Sequence, residues 1–447
     1  MQSKSMLMTE GPIYSKILKF AVPIFLGNLF QQLYNVVDSL VVGNFVGRDA
    51  LAAISSTGSL IFLLVGFFGG IFSGASVIIS KYFGAGKKER VEKAVHTAVA
   101  FAIVAGITLT IVGTILTPQI LKLMGTPEEV FVNAVLYVRI YFMGILSVVL
   151  YNTANGIFQA IGDSKHPLYY LITSSIVNVV LDLIFVIVFD LGIAGVAVAT
   201  VIAQFTSAIL AFYRLTHTKD IYKISFKNIR FDKTILKEII RLGLPAGMQN
   251  SVIALANVVV QSNINAFGSV AMAGCGSYGK IEGFVFIPVT SFAMSMTTFV
   301  GQNLGAKKYD RAKKGTKFGI ITSILLAEAI GIIFFLLAPQ LISLFSNEPQ
   351  VIEIGAMQAR TIALFYCLLA FSHCVAGILR GAGKSIIPMF VMLVCWCIIR
   401  VTYITITTHF IPKIQVVFWA YPLTWFLSSC IFLIYYLKSD WIHGFDK

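Results

Sequence analysis

Residues 23–38 read PIFLGNLFQQLYNVVD and lie within an apolar run from about residue 17 to residue 42. A run of this length is long enough to cross a bilayer as a helix, which needs about 20 mainly apolar residues. Four polar residues in it share one helix face at i, i+3, i+4 and i+7 spacing: Gln31, Tyr34, Asn35 and Asp38. An ionised aspartate inside a membrane costs at least about 2.5 kcal/mol. The stretch therefore predicts a cavity, a polar partner or a bound cation at Asp38, although a hydrogen-bonding stripe between helices would have the same spacing.

The composition indicates an all-α integral membrane protein. The chain has 447 residues, of which 57% are hydrophobic and 12% charged, whereas about a quarter of the residues in soluble domains are charged. Its apolar runs are too long for membrane β-strands and do not alternate. The sequence predicts twelve transmembrane helices, within approximate limits of 17–43, 51–80, 94–116, 131–153, 167–189, 192–213, 236–264, 277–302, 317–338, 356–377, 387–409 and 416–437.

The basic residues predict the orientation. If the N-terminus is cytoplasmic, nearly all Lys and Arg residues fall in cytoplasmic loops, and the external loops hold only Arg48, Lys122 and Lys413. We therefore expect a multi-pass protein of the cytoplasmic membrane with both termini in the cytoplasm. The net charge of +14 then reflects topology and contact with the lipid bilayer, not nucleic-acid binding. The six cysteines form no CxxC pair, and no cofactor is expected.

An internal repeat organises the chain. At a numbering offset of 221, Gly84 falls on Gly305 and Gly162 on Gly383, and near the start Pro23 falls on Pro245 at an offset of 222. Each copy holds an even number of helices, so the two copies have the same orientation in the membrane. We predict two parallel six-helix lobes facing each other across a central cleft, with bounds of 1–213 and 236–447 and a cytoplasmic linker at 214–235.

Four groups of the first lobe are expected at one depth, roughly 10 Å from the outer surface at about 1.5 Å per helical residue. Two carboxylates, an amide and a hydroxyl at one level can share a proton or ligate Na⁺. Independent polar groups that pack helices together remain the alternative. The candidate cation-coupling residues are Asp38, Asn178, Asp182 and Thr200, with Gln31 and Asn35 beside them.

The second lobe carries different polar groups. At the repeat offset, Val260 matches Asp38 and Tyr403 matches Asp182. Glu282 could either neutralise Arg400 or attract a cationic substrate. Pro23 removes a backbone donor and is expected to form a hinge in the first helix. The candidate residues lining the substrate cleft are Tyr34, Tyr137, Tyr151, Met248, Asn257, Gln261, Glu282, Met294 and Arg400.

The chain resembles a prokaryotic multidrug and toxic compound extrusion (MATE) transporter over nearly its whole length. The resemblance rests on the segment from Pro23 to Asp38, the loops Gly84–Arg90 and Gly305–Arg311, Asn178 with Asp182, Ile281-Glu282 with Pro288, and Gly377 through Gly383. It implies a V-shaped pair of six-helix bundles that exports cationic amphiphiles in exchange for H⁺ or Na⁺. It also implies that the acids of the first lobe are the coupling site.

We therefore expect a monomeric secondary antiporter for small organic cations, and not an enzyme. No P-loop that would bind ATP is present in the sequence. A lipid-linked saccharide flippase of the same fold is the first alternative, but it should line its cleft with cationic groups. A membrane-embedded enzyme is the second, but the histidines are scattered and form no catalytic or metal-binding motif.

Overall fold

The structure is a computed structural model that describes residues 7–445. Residues 1–6 and 446–447, on which the predicted cytoplasmic location of both termini depends, lie outside the described residues. The same holds for a few side chains between residues 39 and 62, including that of Arg48, one of the predicted external basic residues.

Sixteen α-helices form the described part of the chain. They are α1 (Ile13–Val41), α2 (Arg48–Gly84), α3 (Lys88–Leu123), α4 (Glu128–Met143), α5 (Ile145–Ala160), α6 (Lys165–Leu183), α7 (Gly192–His217), α8 (Lys233–Asn265), α9 (Ser269–Gly305), α10 (Tyr309–Leu336), α11 (Ala338–Ser343), α12 (Pro349–Ile362), α13 (Tyr366–Gly381), α14 (Ile386–Met392), α15 (Arg400–Phe410) and α16 (Ile414–Lys438). Three π-helical segments extend or join them, at Val42–Val46, Ile184–Val188 and Leu393–Ile399.

These helices confirm the predicted number of membrane spans. Between residues 7 and 445, eleven spans are long and apolar enough to cross a bilayer, and α4 with α5 makes a twelfth when counted as one span. The prediction of one continuous helix over 131–153 is wrong, because α4 and α5 meet at a bend of 51°. The bend falls at Gly144, whose backbone packs so closely that a Cβ atom there would lie 2.5 Å from Val201. The matching span of the second half is interrupted by a 3₁₀ turn at Ala363–Phe365.

The described residues fold into two compact units. The first unit contains residues 22–247, and the second contains Met8–Ala21 together with residues 248–445. Helices α1 and α8 each contribute to both units, and each passes from one unit to the other near a proline, Pro23 or Pro245. The lobe and linker bounds derived from the sequence remain a prediction about the repeat.

The linker between α7 and α8 docks on the first unit. The backbone N–H of Ser225 donates to Nε2 of His96 at 3.0 Å, and that of Asp232 donates to the Thr97 hydroxyl at 3.1 Å. Asp232 then caps α8, because its carboxylate accepts the backbone N–H groups of Ile235 and Thr234. These bonds hold the pKa of the Asp232 carboxyl below its usual value.

The repeat extends to the backbone conformation. Three positions of the first half with left-handed φ angles have left-handed partners at the offset of 221: Gly47 with Gly268, Gly86 with Lys307, and Gly162 with Gly383. Helices α2 and α9 also begin and end at this offset. The two halves therefore share one fold, and a one-residue change in the offset marks a local difference between them.

The N-terminal segment of the described chain is held on the second unit by Arg311. The guanidinium donates to the backbone carbonyls of Met8 at 3.1 Å, Gly11 at 2.7 Å and Glu10 at 3.1 Å. Lys308 adds a bond to the carbonyl of Thr9 at 3.0 Å. One arginine thus ties down the chain that leads into α1.

We expect the substitution Arg311→Ala to loosen this segment. Hydrogen bonds from a charged donor contribute about 1.5–3 kcal/mol, so amide exchange in a peptide covering residues 8–16 should become at least about tenfold faster. The matched control is Arg90→Ala at the repeat-related position, which should leave that peptide unchanged. Equal exchange in the Arg311→Ala variant and the wild type would contradict this role.

Candidate functional site

Two aspartates of the first unit meet inside it. Asp38 is carried by α1 and Asp182 by α6, and their carboxyl groups lie close enough to interact directly. Asp182 is fully buried, whereas Asp38 is partly exposed. Two carboxylates at this range repel each other unless a proton or a cation lies between them. The buried pair therefore requires such a partner.

Asn178 and Thr200 complete the group. With the Asn178 amide oriented so that both ends are satisfied, its nitrogen donates to Oδ2 of Asp182 at 2.9 Å and its oxygen accepts from the Thr200 backbone N–H at 3.2 Å. Asn178 lies one helical turn before Asp182 on α6, and Thr200 lies on α7. The structure thus brings together the four residues that the sequence placed at one depth.

Two carboxylate oxygens of this group have unused acceptor capacity. Oδ1 of Asp38 and Oδ1 of Asp182 are both buried, and neither has a hydrogen-bond partner among residues 7–445. Buried polar atoms are nearly always satisfied, so such a pair points to a proton or a cation as the missing partner. The donor set is all oxygen, which suits a hard ion such as Na⁺. The described residues contain no cluster of three or more His, Cys, Asp or Glu side chains that could hold a metal ion.

Tyrosines surround the acid pair. Tyr34 lies one turn before Asp38 on α1, next to Thr200. Tyr137 of α4 lies within electrostatic range of both aspartates, as well as of Tyr34 and Tyr141. Tyr141 was not singled out from the sequence, although it lies one turn beyond Tyr137 on the same helix. Aromatic faces next to a carboxylate pair offer a favourable environment for organic cations.

A polar cavity of about 200 Å³ lies on the Pro23 side of this group. Gln31, Tyr151 and Pro23 line it, but Asn35 does not, and Asn35 is exposed. Among the described residues that line it, none is charged. Most of its polar lining comes from six amide side chains, Asn28, Gln31, Asn152, Asn155, Gln159 and Gln204.

Sequence reasoning missed most of this amide lining. Asn152, Asn155 and Gln159 recur at i, i+3 and i+7 on α5, which is the spacing that identified the stripe on α1. The same signal would therefore have found them. They line the cavity together with Gln31 of α1.

The remaining predicted cleft residues lie in the second unit. Met248, Asn257 and Gln261 on α8 are exposed, and Met294 on α9 is partly buried. Glu282 accepts a hydrogen bond from the Tyr278 hydroxyl at 3.0 Å, and that hydroxyl lies 2.8 Å from the Tyr366 hydroxyl. The side chain of Arg400 is buried, with a relative exposure of 3%.

The sequence model of the MatE family matches residues 23–184 and 245–406. The chain belongs to the MatE family. Both matched segments span the same length, and they begin at Pro23 and Pro245, the pair that the repeat aligns. The resemblance drawn from the sequence motifs is thus confirmed, and the protein is a membrane transporter and not an enzyme. The first matched segment contains Asp38, Asn178 and Asp182.

Known proteins agree with this membership. The chain is 30% identical over 437 residues to the probable multidrug resistance protein YoeA of Bacillus subtilis, covering 96% of this chain and 94% of YoeA. Its fold matches that of a MOP superfamily transporter from Pyrococcus furiosus with a TM-score of 0.93 and 23% identity over the full length of both chains. A multidrug resistance MATE family transporter in an outward-facing conformation gives a TM-score of 0.91 at 23% identity, over 98% of each chain. These likenesses establish the twelve-helix fold.

Proposed function

We propose that this MatE protein exports cationic, amphiphilic compounds in exchange for H⁺ or Na⁺ and couples the two fluxes at Asp38 and Asp182. The observation that carries the proposal is the buried carboxyl pair with an unpartnered oxygen on each member. Its relative YoeA is named as a probable multidrug resistance protein, which supports drug-like compounds as substrates. The protein would act as a monomer in the cytoplasmic membrane, with both termini in the cytoplasm.

Coupling follows from the charge of the acid pair. A proton or Na⁺ at Asp38 and Asp182 lowers the negative charge of the first unit, and an organic cation beside the tyrosines would then be held less strongly. The cation must bind two conformations of the transporter with different affinities, since otherwise it shifts no equilibrium. Asn178 and Thr200 keep the pair in place, and Pro23 supplies a point at which α1 can bend.

The uncharged cavity beside the acid pair suits an amphiphile. Its amide groups can exchange hydrogen bonds with varied ligands, while Tyr151 and Tyr141 offer aromatic surface. A flippase for lipid-linked saccharides would need cationic groups to hold a pyrophosphate. None lies among the described residues that line this cavity, which favours export of organic cations over the flippase alternative.

Cells that lack their own efflux pumps provide the test. Cells expressing the chain should retain less ethidium than cells with an empty vector, and dissipating the proton or the sodium gradient should remove the difference. An anionic dye of similar size serves as the control and should accumulate equally in both. Ethidium efflux that survives the loss of both gradients would overturn the proposal.

A further inference from the structure

The three π-helical segments mark the places where the register of the repeat changes. A π-helical turn accommodates one extra residue in a helix. Pro23 and Pro245 are related by the offset of 222, but after the segment Val42–Val46 the offset is 221, as Gly47 and Gly268 show. The segment Leu393–Ile399 adds a residue to the second half and restores 222. The segment Ile184–Val188 in the first half then returns the offset to 221.

Burial along the helices supports this register. Before Leu393–Ile399, exposed positions of α6 recur at the offset of 221, as Tyr169 and Phe390 show. After it they recur at 222, as Val180 and Thr402 show, and again Leu183 and Thr405. Buried Asn178 then falls on buried Arg400, and buried Asp182 falls on buried Ile404. The pairing of Asp182 with Tyr403 made from the sequence alone is therefore wrong by one residue.

The second unit thus contains a counterpart of the acid pair with reversed chemistry. Val260 takes the place of Asp38, and Arg400 takes the place of Asn178. Ile404 takes the place of Asp182, and Tyr421 that of Thr200. Val260 and Ile404 belong to one apolar cluster. The contact between the amide of Asn178 and Thr200 is replaced by the Arg400 guanidinium over the Tyr421 ring, 4.5 Å from its centroid. Both carboxylates are lost and one fixed positive charge is gained.

The Arg400 guanidinium is held by groups that suit a bound cation. Its Nε and Nη2 atoms donate to the Thr424 hydroxyl at 3.1 and 2.8 Å, and the ring centroid of Trp396 lies 5.5 Å away. Among the described residues no carboxylate lies within 4 Å of it, and Glu282 is the acid that interacts with its charge. A buried charge normally requires a partner, so the aromatic faces and Glu282 together stabilise this one.

We propose that Arg400 is a built-in cation that permanently occupies, in the second unit, the site that corresponds to the exchangeable cation site of the first. This inference rests on the proposed coupling role of Asp38 and Asp182. The guanidinium cannot leave, so the second unit stays in a cation-loaded state and only the first unit exchanges its ion. Glu282, held by Tyr278, supplies the balancing charge. The transporter then has one exchangeable coupling site despite its two similar halves.

The proposal predicts that removing the Arg400 side chain leaves a site that binds a free guanidinium ion. The Arg400→Ala variant should lose thermal stability, measured as the fraction that stays monodisperse after heating in detergent. Guanidinium chloride at 10 mM, far below denaturing concentrations, should raise the midpoint temperature of thermal unfolding of the variant by about 5 °C. The midpoint temperature of the wild type should shift by less than 1 °C. Urea or NaCl at 10 mM should raise the midpoint temperature of neither protein. Tryptophan emission should change with the same guanidinium dependence, because Trp396 faces the site, and Trp396→Phe should remove that change.

A charge-balance variant covers the case in which Arg400→Ala does not fold. Arg400→Met keeps apolar volume but leaves Glu282 without its positive charge, so adding Glu282→Gln should raise the stability above that of Arg400→Met alone. If the double variant were destabilised by the sum of the losses of Arg400→Met and Glu282→Gln, the proposal would be overturned. So would an Arg400→Ala variant that is as stable as the wild type, or one that is destabilised but unaffected by guanidinium. The rescue should persist in an Asp38→Asn background, which separates this outcome from any failure of the coupling role of Asp38.

Discussion

Replacing Asp38 with asparagine is expected to abolish gradient-driven efflux while substrate binding continues. The amide keeps the shape of the carboxylate and loses only the charge that a proton or Na⁺ can neutralise. Without that charge the cation has no means of favouring one conformation over another. Efflux from energised cells should fall to the level of cells with an empty vector, and equilibrium dye binding by the purified variant should remain measurable.

Asp182→Asn should give the same loss, because it removes the second charge that the cation neutralises and preserves the local hydrogen bonding. Asn178 donates its amide nitrogen to Oδ2 of Asp182, and an asparagine at 182 can keep that bond without carrying charge. The matched control is Asp190→Asn, because Asp190 is exposed on the connection between α6 and α7 and has the left-handed φ that asparagine tolerates. Near-normal efflux by Asp38→Asn would contradict the coupling mechanism.

The second large effect is expected at a glycine that packs α13 against α9. A Cβ atom on Gly377 would lie 2.3 Å from the carbonyl oxygen of Ala293, and the Thr297 hydroxyl already donates to the Gly377 carbonyl at 2.9 Å. The obstacle is backbone, which cannot rotate away as a side chain can. Gly377→Ala should therefore cost at least about 1–3 kcal/mol, as is typical of overpacked cores.

The repeat supplies the control for this glycine. Gly156 occupies the same position in the first half, but a Cβ there would lie 3.6 Å from the nearest atom, the Phe72 carbonyl oxygen. Gly156→Ala should change stability by no more than about 0.5 kcal/mol. The measurement is the melting midpoint of each variant in one detergent, followed by size-exclusion chromatography. Equal midpoints for the two variants would show that α9 and α13 are less closely packed than the structure indicates.

The span count and the residues around the acid pair could be predicted from the sequence. Twelve apolar runs give twelve spans because a bilayer core fixes helix length. Depth arithmetic brought Asp38, Asn178, Asp182 and Thr200 to one level because helical rise is constant along a span.

Other features depend on packing that a single sequence does not show. The bend at Gly144 goes with close contact to Val201 on another helix, and a lone glycine in an apolar run does not fix a bend by itself. The π-helical segments are one-residue irregularities within apolar runs, so the offset of 221 continued past Leu393 and paired the wrong residue with Asp182. The role of Arg400 was hidden for the same reason, because its equivalence to Asn178 appears only when the extra residue is counted.

The most direct test of the coupling role is an exchange measurement in proteoliposomes. Purified protein is reconstituted, and an outward gradient of H⁺ or of Na⁺ is imposed while uptake of a cationic dye and movement of the ion are recorded together. Wild-type protein should accumulate dye under at least one gradient, and dye added without a gradient should move that ion in the opposite direction. Asp38→Asn should show neither response. Dye uptake by the wild type that neither gradient changes, or equal uptake by Asp38→Asn, would contradict coupling at the acid pair.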